Sequence, residues 1–291
     1  MVPFKTCCYD CIYCQLGCTT RKTIDRKEYV PVSEVLDELE RALAMVTAPD
    51  YIGIAGSGEP TLHSRLGELI TEIKRITAVP VAVLTNGSML WMPEVRKDLA
   101  KADLVLPSLD APDQHLFLRV NRPHEDISFD RMLGGLIAFT EGFRGAVWLE
   151  ILLLAGITGA PTQVERLAAV ARRIRAERIQ LNTVSRPPAE TQALAVPCSL
   201  MEQFKGYFGE NAEVISESDR VEPQASSVEV TTDVDILALL QRRPSTVEGL
   251  SSGLGLHAGE VVKRLDALRL RGAVRLVKID GAAFYEVVRA E

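Results

Sequence analysis

Six cysteines occur in 291 residues, and five of them crowd between positions 7 and 18. The run Cys7-Cys8-Tyr9-Asp10-Cys11-Ile12-Tyr13-Cys14 contains C-x-x-x-C-x-x-C at Cys7, Cys11 and Cys14, and C-x-x-C-x-x-C at Cys8, Cys11 and Cys14. Thiols this close cannot be three disulfide halves, and disulfide frameworks belong to small secreted domains. A zinc site shows two C-x-x-C pairs or Cys with His. Here a second pair is missing and the nearest histidine is His63. Three thiolates around one [4Fe–4S] cube satisfy the spacing. Three ligands leave one iron without a protein ligand, open to chelation by a substrate or cofactor. Cys18 reads as a spare thiol near the mouth of such a site. Cys198, alone in sequence, reads as core.

Such a loop needs a scaffold, and the chain supplies one by alternation. Apolar strands are expected at 51–55, 80–84, 103–107, 146–154 and 178–184, with helices at 33–45, 62–76, 93–101, 130–142 and 162–175. Ser33 is placed as the cap of the first helix, and 111–128 is placed as a long connection. Strand–helix alternation implies βαβ units and a parallel sheet. Five strands plus a first one at the cysteines give six units, closing partly into a (βα)6 barrel. In such sheets ligands bind at the carboxyl ends of the strands. Glu59, Asn86, Ser108, Asp110 and Asn182 all fall at or near those ends. Glu150 and Asn182 lie inside apolar strands. Buried polar groups are costly unless paired, so both are expected to face a polar lumen or ligand. Gly56-Ser57-Gly58-Glu59-Pro60 follows a strand, and its glycines let backbone approach a ligand closely.

The pattern C-x-x-x-C-x-aromatic-C, with Tyr13 as the aromatic, resembles the signature of the radical S-adenosylmethionine (SAM) superfamily. The resemblance selects Cys7, Cys11 and Cys14 as cluster ligands and makes Cys8 a buried small residue. It implies that the open iron binds the amino and carboxylate groups of SAM. It further implies that the reduced cluster cleaves the C5′–S bond, giving a 5′-deoxyadenosyl radical that abstracts hydrogen from substrate. Radical generation then requires no side chain as acid or base. Gly56-Ser57-Gly58-Glu59 resembles the superfamily's GGE motif, which implies that Gly56, Gly58 and Glu59 hold the SAM amino group. Tyr13, Asn86, Ser108, Asp110 and Asn182 would line the rest of the SAM site, the oxygens of Ser108 and Asp110 suiting ribose hydroxyls. Arg119 and Arg122 could fork onto a carboxylate or phosphate. The superfamily's cluster loop follows the first barrel strand. Only six residues precede Cys7, so either the natural chain is longer or this edge is frayed.

Lys5-Thr6-Cys7, Cys14-Gln15-Leu16-Gly17, Leu84-Thr85-Asn86-Gly87-Ser88, Pro107-Ser108-Leu109-Asp110-Ala111 and Asn121-Arg122-Pro123 together resemble one group of Fe–S oxidoreductases. That group includes the wyosine synthases, which elaborate a guanosine in tRNA. Wyosine synthases carry a second cysteine group, and this chain has none.

The expected division is a radical SAM partial barrel over 1–215, a linker over 216–232 and a small domain over 233–291. The last stretch reads as helices at 233–241, 246–253 (capped by Ser245) and 256–270, then a hairpin across Asp280-Gly281. That order resembles a winged helix. Lys263, Arg264, Arg269, Arg271, Arg275 and Lys278 support groove binding. Over 228–291, however, acidic and basic side chains are equal in number, which favours protein docking.

Net charge is −6 and the pI about 5.4, so global steering onto nucleic acid is not indicated. The apolar run 147–155 is too short to cross a bilayer and contains Glu150. With no signal peptide and with thiols that need a reducing interior, the chain is expected in the cytoplasm, without a membrane partner. Expected partners are SAM, an electron donor such as flavodoxin or ferredoxin, and a substrate that is tRNA or a protein. Other readings are an activase of a glycyl-radical enzyme and an Fe–S redox-sensing DNA-binding regulator. Polar residues at the strand ends argue against the sensor, which has no use for a SAM pocket.

Overall fold

The computed structural model describes residues 1–45, 49–215, 232–279 and 281–288. The expected linker over 216–232 lies almost wholly outside them, as do Val46 and Asp280. The described chain divides into two units, one of Met1–Tyr13, Cys18–Val184 and Glu190–Ile215, the other of Cys14–Gly17, Ser185–Ala189 and Ser216–Glu291.

The first unit is built on a parallel sheet of six strands in sequence order: β3 (Ile52–Ile54), β4 (Val81–Thr85), β5 (Leu104–Pro107), β6 (Ala146–Leu153), β7 (Arg178–Thr183) and β8 (Ala212–Val214). Two very short strands, β1 (Thr6–Cys7) and β2 (Arg21–Lys22), precede them, with α1 (Val32–Met45) between β2 and β3. Helices α2 (Leu66–Ile76), α3 (Pro93–Leu99), α4 (Gln114–Val120), α5 (Phe129–Gly142), α6 (Pro161–Ala171) and α7 (Cys198–Phe208) make the crossovers. Crossovers between parallel strands are right-handed, so a sheet wound in one direction carries its helices on one face. Strand β6 shows the consequence. Val147, Leu149, Ile151 and Leu153 are buried in the main core, while Trp148, Glu150 and Leu152 on the other face are half-buried.

The architecture is the expected partial barrel, with three corrections. The sixth strand is not at the cysteines. Among the described residues β1 pairs only with β2, in parallel, and β8 completes the sheet instead. The amino-terminal arm is engaged elsewhere: Lys5 N donates to Ser57 O at 2.6 Å and Glu59 N donates to Thr6 O at 3.1 Å. Second, α4 and α7 occupy stretches where no helix was expected. Asp113 caps α4 by accepting Leu116 N at 2.9 Å, and α7 buries Met201, Phe204 and Phe208 at near-helical spacing. Third, α1 begins at Val32, whose N–H donates to Glu28 Oε1 at 3.1 Å, so Ser33 lies inside the helix rather than capping it. Cys198 stands exposed at the start of α7 rather than in the core.

The second unit has its own core of Ile236, Leu240, Leu250, Val261, Leu265, Leu268, Val274 and Tyr285. These come from α8 (Asp233–Arg242), α9 (Val247–Leu254), α10 (Ala258–Leu270) and the antiparallel pair β9 (Val274–Ile279) and β10 (Ala282–Val287). Thr246, not Ser245, caps α9, accepting Gly249 N at 3.1 Å. Ser245 instead bridges to Tyr285 by two main-chain bonds of 3.0 and 2.8 Å, adding a third rung beside the hairpin.

No helix among the described residues is long and apolar enough to cross a membrane.

Candidate metal and cofactor centre

The cysteine arm crosses the loop after β3 at Gly58. A Cβ there would lie 2.0 Å from Thr6 O and 3.0 Å from Val2 Cγ2, so only glycine allows the approach. The next residue, Glu59, is buried, and its carboxylate faces the interior. Its Oε1 accepts Thr61 N at 3.0 Å and the hydroxyls of Thr61 and Thr85, each at 2.6 Å. Its Oε2 accepts Asn86 N at 2.8 Å. Burial pushes this carboxyl up against the opposing effect of those donors. The Glu59 carboxylate thus accepts four hydrogen bonds from the protein, three on Oε1 and one on Oε2. Asn86, at the end of β4, carries the connection onward, its Nδ2 donating to Cys7 Sγ at 3.3 Å.

A second carboxylate does the same work on the other side of the loop. Asp110, just beyond β5, accepts Leu152 N on Oδ1 at 3.0 Å. On Oδ2 it accepts the Tyr13 hydroxyl and, at 2.9 Å, Asn121 Nδ2. Burial raises both the Asp110 carboxyl and the Tyr13 phenol. Asp110 thus joins Tyr13, Asn121 and β6. Asn121, at the end of α4, also lies 3.6 Å from Cys11 Sγ. The main chain of the loop rests on the same segment, with Asp10 N donating to Asn121 O at 3.0 Å and Ile12 N to Val120 O at 3.0 Å.

The remaining cysteines differ in setting. Cys14 is half-buried, and its carbonyl accepts Gly17 N at 3.1 Å in a turn where Gly17 has φ +84°. Cys8 is fully enclosed in the core, and burial pushes its thiol well above the usual range. Cys7, Cys11 and Cys14 are by contrast only half-buried. Cys18 is exposed. Among the described residues no three Cys, His, Asp or Glu side chains are grouped as ligands of one ion. A four-iron cube makes a different demand, taking its thiolates on separate irons.

Hydrogen bonds to sulfur are what a thiolate-held cluster uses. Cys7 receives Asn86 Nδ2 and, at 3.5 Å, Tyr9 N, and Cys11 receives Asn121 Nδ2. The donor set fits. The sheet face opposite the main core is divided: Ala82, Leu104 and Leu106 form a small apolar cluster on it at β4 and β5, and a polar row crosses β6, β7 and β8. Ser108 bridges to Glu150, Glu150 pairs with Gln180, and Gln180 pairs with Glu213, bonding it side chain to side chain at 2.9 Å. Asn182 stands half-buried on the same strand face as Gln180, with its Nδ2 3.5 Å from Gln180 O. Arg119 is exposed on α4. Arg122 has a left-handed φ of +44° and pairs with Glu190 at 2.7 Å and Asp10 at 3.9 Å.

A family model described as the radical SAM superfamily matches residues 1–171. The chain belongs to the radical SAM superfamily. It is a radical SAM enzyme, and its cofactors are those of the superfamily, a [4Fe–4S] cluster and SAM. Among curated relatives, it is 38% identical over 291 residues to a Brachyspira hyodysenteriae protein named GTPase Obg, across 99% of this chain and 42% of that one. The radical SAM chain thus spans less than half of that relative. Its own sequence contains no G-x-x-x-x-G-K-[ST] phosphate loop. It is 32% identical over 290 residues to a Helicobacter pylori protein named UPF0026 protein, across 97% of this chain and 89% of that one. The crystal structure of a radical SAM methyltransferase from Sphaerobacter thermophilus shares the fold, with TM-score 0.53 and 19% identity over 72% of this chain and 63% of that one.

Sequence reasoning missed Asn121 as a site residue and the bond between the Tyr13 phenol and Asp110. Asn121 stood within the quoted Asn-Arg-Pro segment, but nothing in one dimension connects it to Cys11.

Proposed function

We propose that Cys7, Cys11 and Cys14 hold the [4Fe–4S] cluster beside the carboxyl ends of β4 and β5, with SAM over the sheet face opposite the main core. The observation that carries this reading is the pair of side-chain amides aimed at Cys7 and Cys11. When bound, these cofactors supply one-electron cleavage of the SAM C5′–S bond, giving methionine and a 5′-deoxyadenosyl radical that takes a hydrogen atom from substrate. The chain's own residues bind, orient and exclude competing reactions. With the Glu59 carboxylate committed, acceptance of the SAM ammonium falls to the carbonyls of Gly56 and Gly58. Ser108 and Asn182 are left to meet the ribose. Tyr13 acts by fixing the loop to Asp110. A flavodoxin or ferredoxin supplies the electron.

The substrate is a macromolecule, and the second unit is its docking module. Two substrates compete. The wyosine-like motifs favour tRNA. The ion pairs of the second unit favour a protein: Arg264 lies 3.6 Å from Asp233 and 2.9 Å from Glu260, Arg271 is 3.4 Å from Asp233, Arg269 is 3.8 Å from Asp266, and Arg275 is 2.5 Å from Glu286. Cations neutralised in this way contribute little to phosphate binding. Anaerobic reconstitution followed by dithionite and SAM is expected to yield 5′-deoxyadenosine. Full yield from a Cys7→Ala, Cys11→Ala, Cys14→Ala triple variant would refute the ligand assignment. Binding of tRNA whose log affinity falls with log salt by about 0.7 to 0.9 per phosphate contacted would select the nucleic acid.

A further inference from the structure

Both amides near the thiols are held in one orientation. Asn86 Oδ1 accepts Ser88 N at 2.9 Å while its own N–H is bound by Glu59, so Nδ2 is left for Cys7. Asn121 is 2% exposed, and its Nδ2 faces Asp110 Oδ2 at 2.9 Å, the Tyr13 hydroxyl at 3.3 Å and Cys11 Sγ at 3.6 Å. A flipped amide would set Oδ1 against a carboxylate and a sulfur, both acceptors, so the surroundings select nitrogen. Neither contact is a by-product of chain direction. Asn86 ends β4 and Asn121 ends α4, yet each is fixed by a buried carboxylate and each ends on a different cysteine.

We propose that Asn121, together with Asn86, is a positioning residue that sets the reduction potential of the cluster. This rests on the ligand assignment above. An N–H pointed at a thiolate withdraws charge from the sulfur and favours the reduced, more negative cluster. Asp110 holds the Asn121 amide in that orientation, and Tyr13 locks Asp110 to the same loop. The bonds that fix the cysteine loop thereby also act on the ease with which the cluster accepts its electron.

The test compares wild type with Asn121→Leu, which keeps the branching of the side chain and removes the donor. Iron and sulfide are quantified after anaerobic reconstitution, and the potential is read by redox titration followed by electron paramagnetic resonance, without substrate. With full iron content, the variant's one-electron reduction equilibrium is expected to be about tenfold less favourable, equivalent to about 59 mV toward negative potential. An unchanged potential at full iron content overturns the proposal. Should the Leu variant take up no iron, Asn121→Ser, whose hydroxyl is too short to reach Cys11, is measured in its place. Failure of both to load beside a loaded wild type makes Asn121 an assembly residue and also overturns it. Failure of wild type to load is a different result, because it removes the ligand assignment itself.

Discussion

Replacing Gly58 by alanine is the perturbation that most directly separates the site from the fold. The new Cβ would stand 2.0 Å from Thr6 O, 3.0 Å from Thr6 C and 3.0 Å from Val2 Cγ2. Real contacts to such atoms begin above 3.0 Å, so the arm carrying Cys7 must retreat by at least about 1 Å. That movement stretches two main-chain bonds, Lys5 N to Ser57 O at 2.6 Å and Glu59 N to Thr6 O at 3.1 Å. Each such bond contributes about 0.5–1.5 kcal/mol net, so loss of both costs roughly 1–3 kcal/mol. The cost falls on the arm, not on the sheet, because neither bond joins strands. Displacing Cys7 also moves Sγ away from Asn86 Nδ2, now 3.3 Å distant. The expected outcome is a variant that folds but retains less iron and sulfide after reconstitution, with weaker thiolate-to-iron absorbance. Folding is followed by fluorescence of Trp91 and Trp148, both in the first unit. Wild-type iron content in Gly58→Ala would refute the claim that the arm must touch this loop to present its thiol.

Glu59→Gln keeps the shape of the side chain but sets an amide N–H2 against a donor at one oxygen position, and a buried unsatisfied donor costs about 1–3 kcal/mol by denaturant unfolding. Because burial raises the native Glu59 carboxyl above its ordinary value of 4.5, its contribution to stability is fully present below that value and is lost as pH rises through the native one. The stability advantage of wild type over Glu59→Gln should therefore shrink as pH rises from about 4.5 upward, and a pH-independent difference would contradict this. Cys8→Ala should retain wild-type iron content while Cys7→Ala loses it, since Cys8 is sealed in the core; the reverse result would restore the alternative spacing. In the second unit, Leu265 is fully buried, so Leu265→Ala should cost about 2–5 kcal/mol, read as faster hydrogen exchange along α10 and β9. Unchanged exchange there would contradict the assigned core.

Legibility was uneven for physical reasons. Long elements with clear periodicity, such as β6 and α5, could be placed from the chain because each buries one face and repeats a pattern. The short helix α4, the three-residue β8 and the two-residue β1 carry too few residues for a period to show, and β1 exists only because the arm lies against β2. Cys7, Cys11 and Cys14 announced their chemistry through spacing, since one inorganic core must be reached from one short loop. Glu59 and Asp110 were legible as strand-end residues, but their partners within the protein were not. Their carboxylates turn inward, which follows from which donors surround them and not from their distance along the chain.

The sequence by itself determined that three closely spaced thiols, a strand–helix alternation and a separate helical tail belong to this protein, because local spacing and periodicity are properties of neighbours in the chain. Only the tertiary structure decided that Asn86 and Asn121 meet Cys7 and Cys11, that Gly58 yields its space to Thr6, and that β8 rather than β1 closes the sheet. Those contacts join residues far apart in sequence, and they exist only once packing has fixed which polar groups lose water and must find one another.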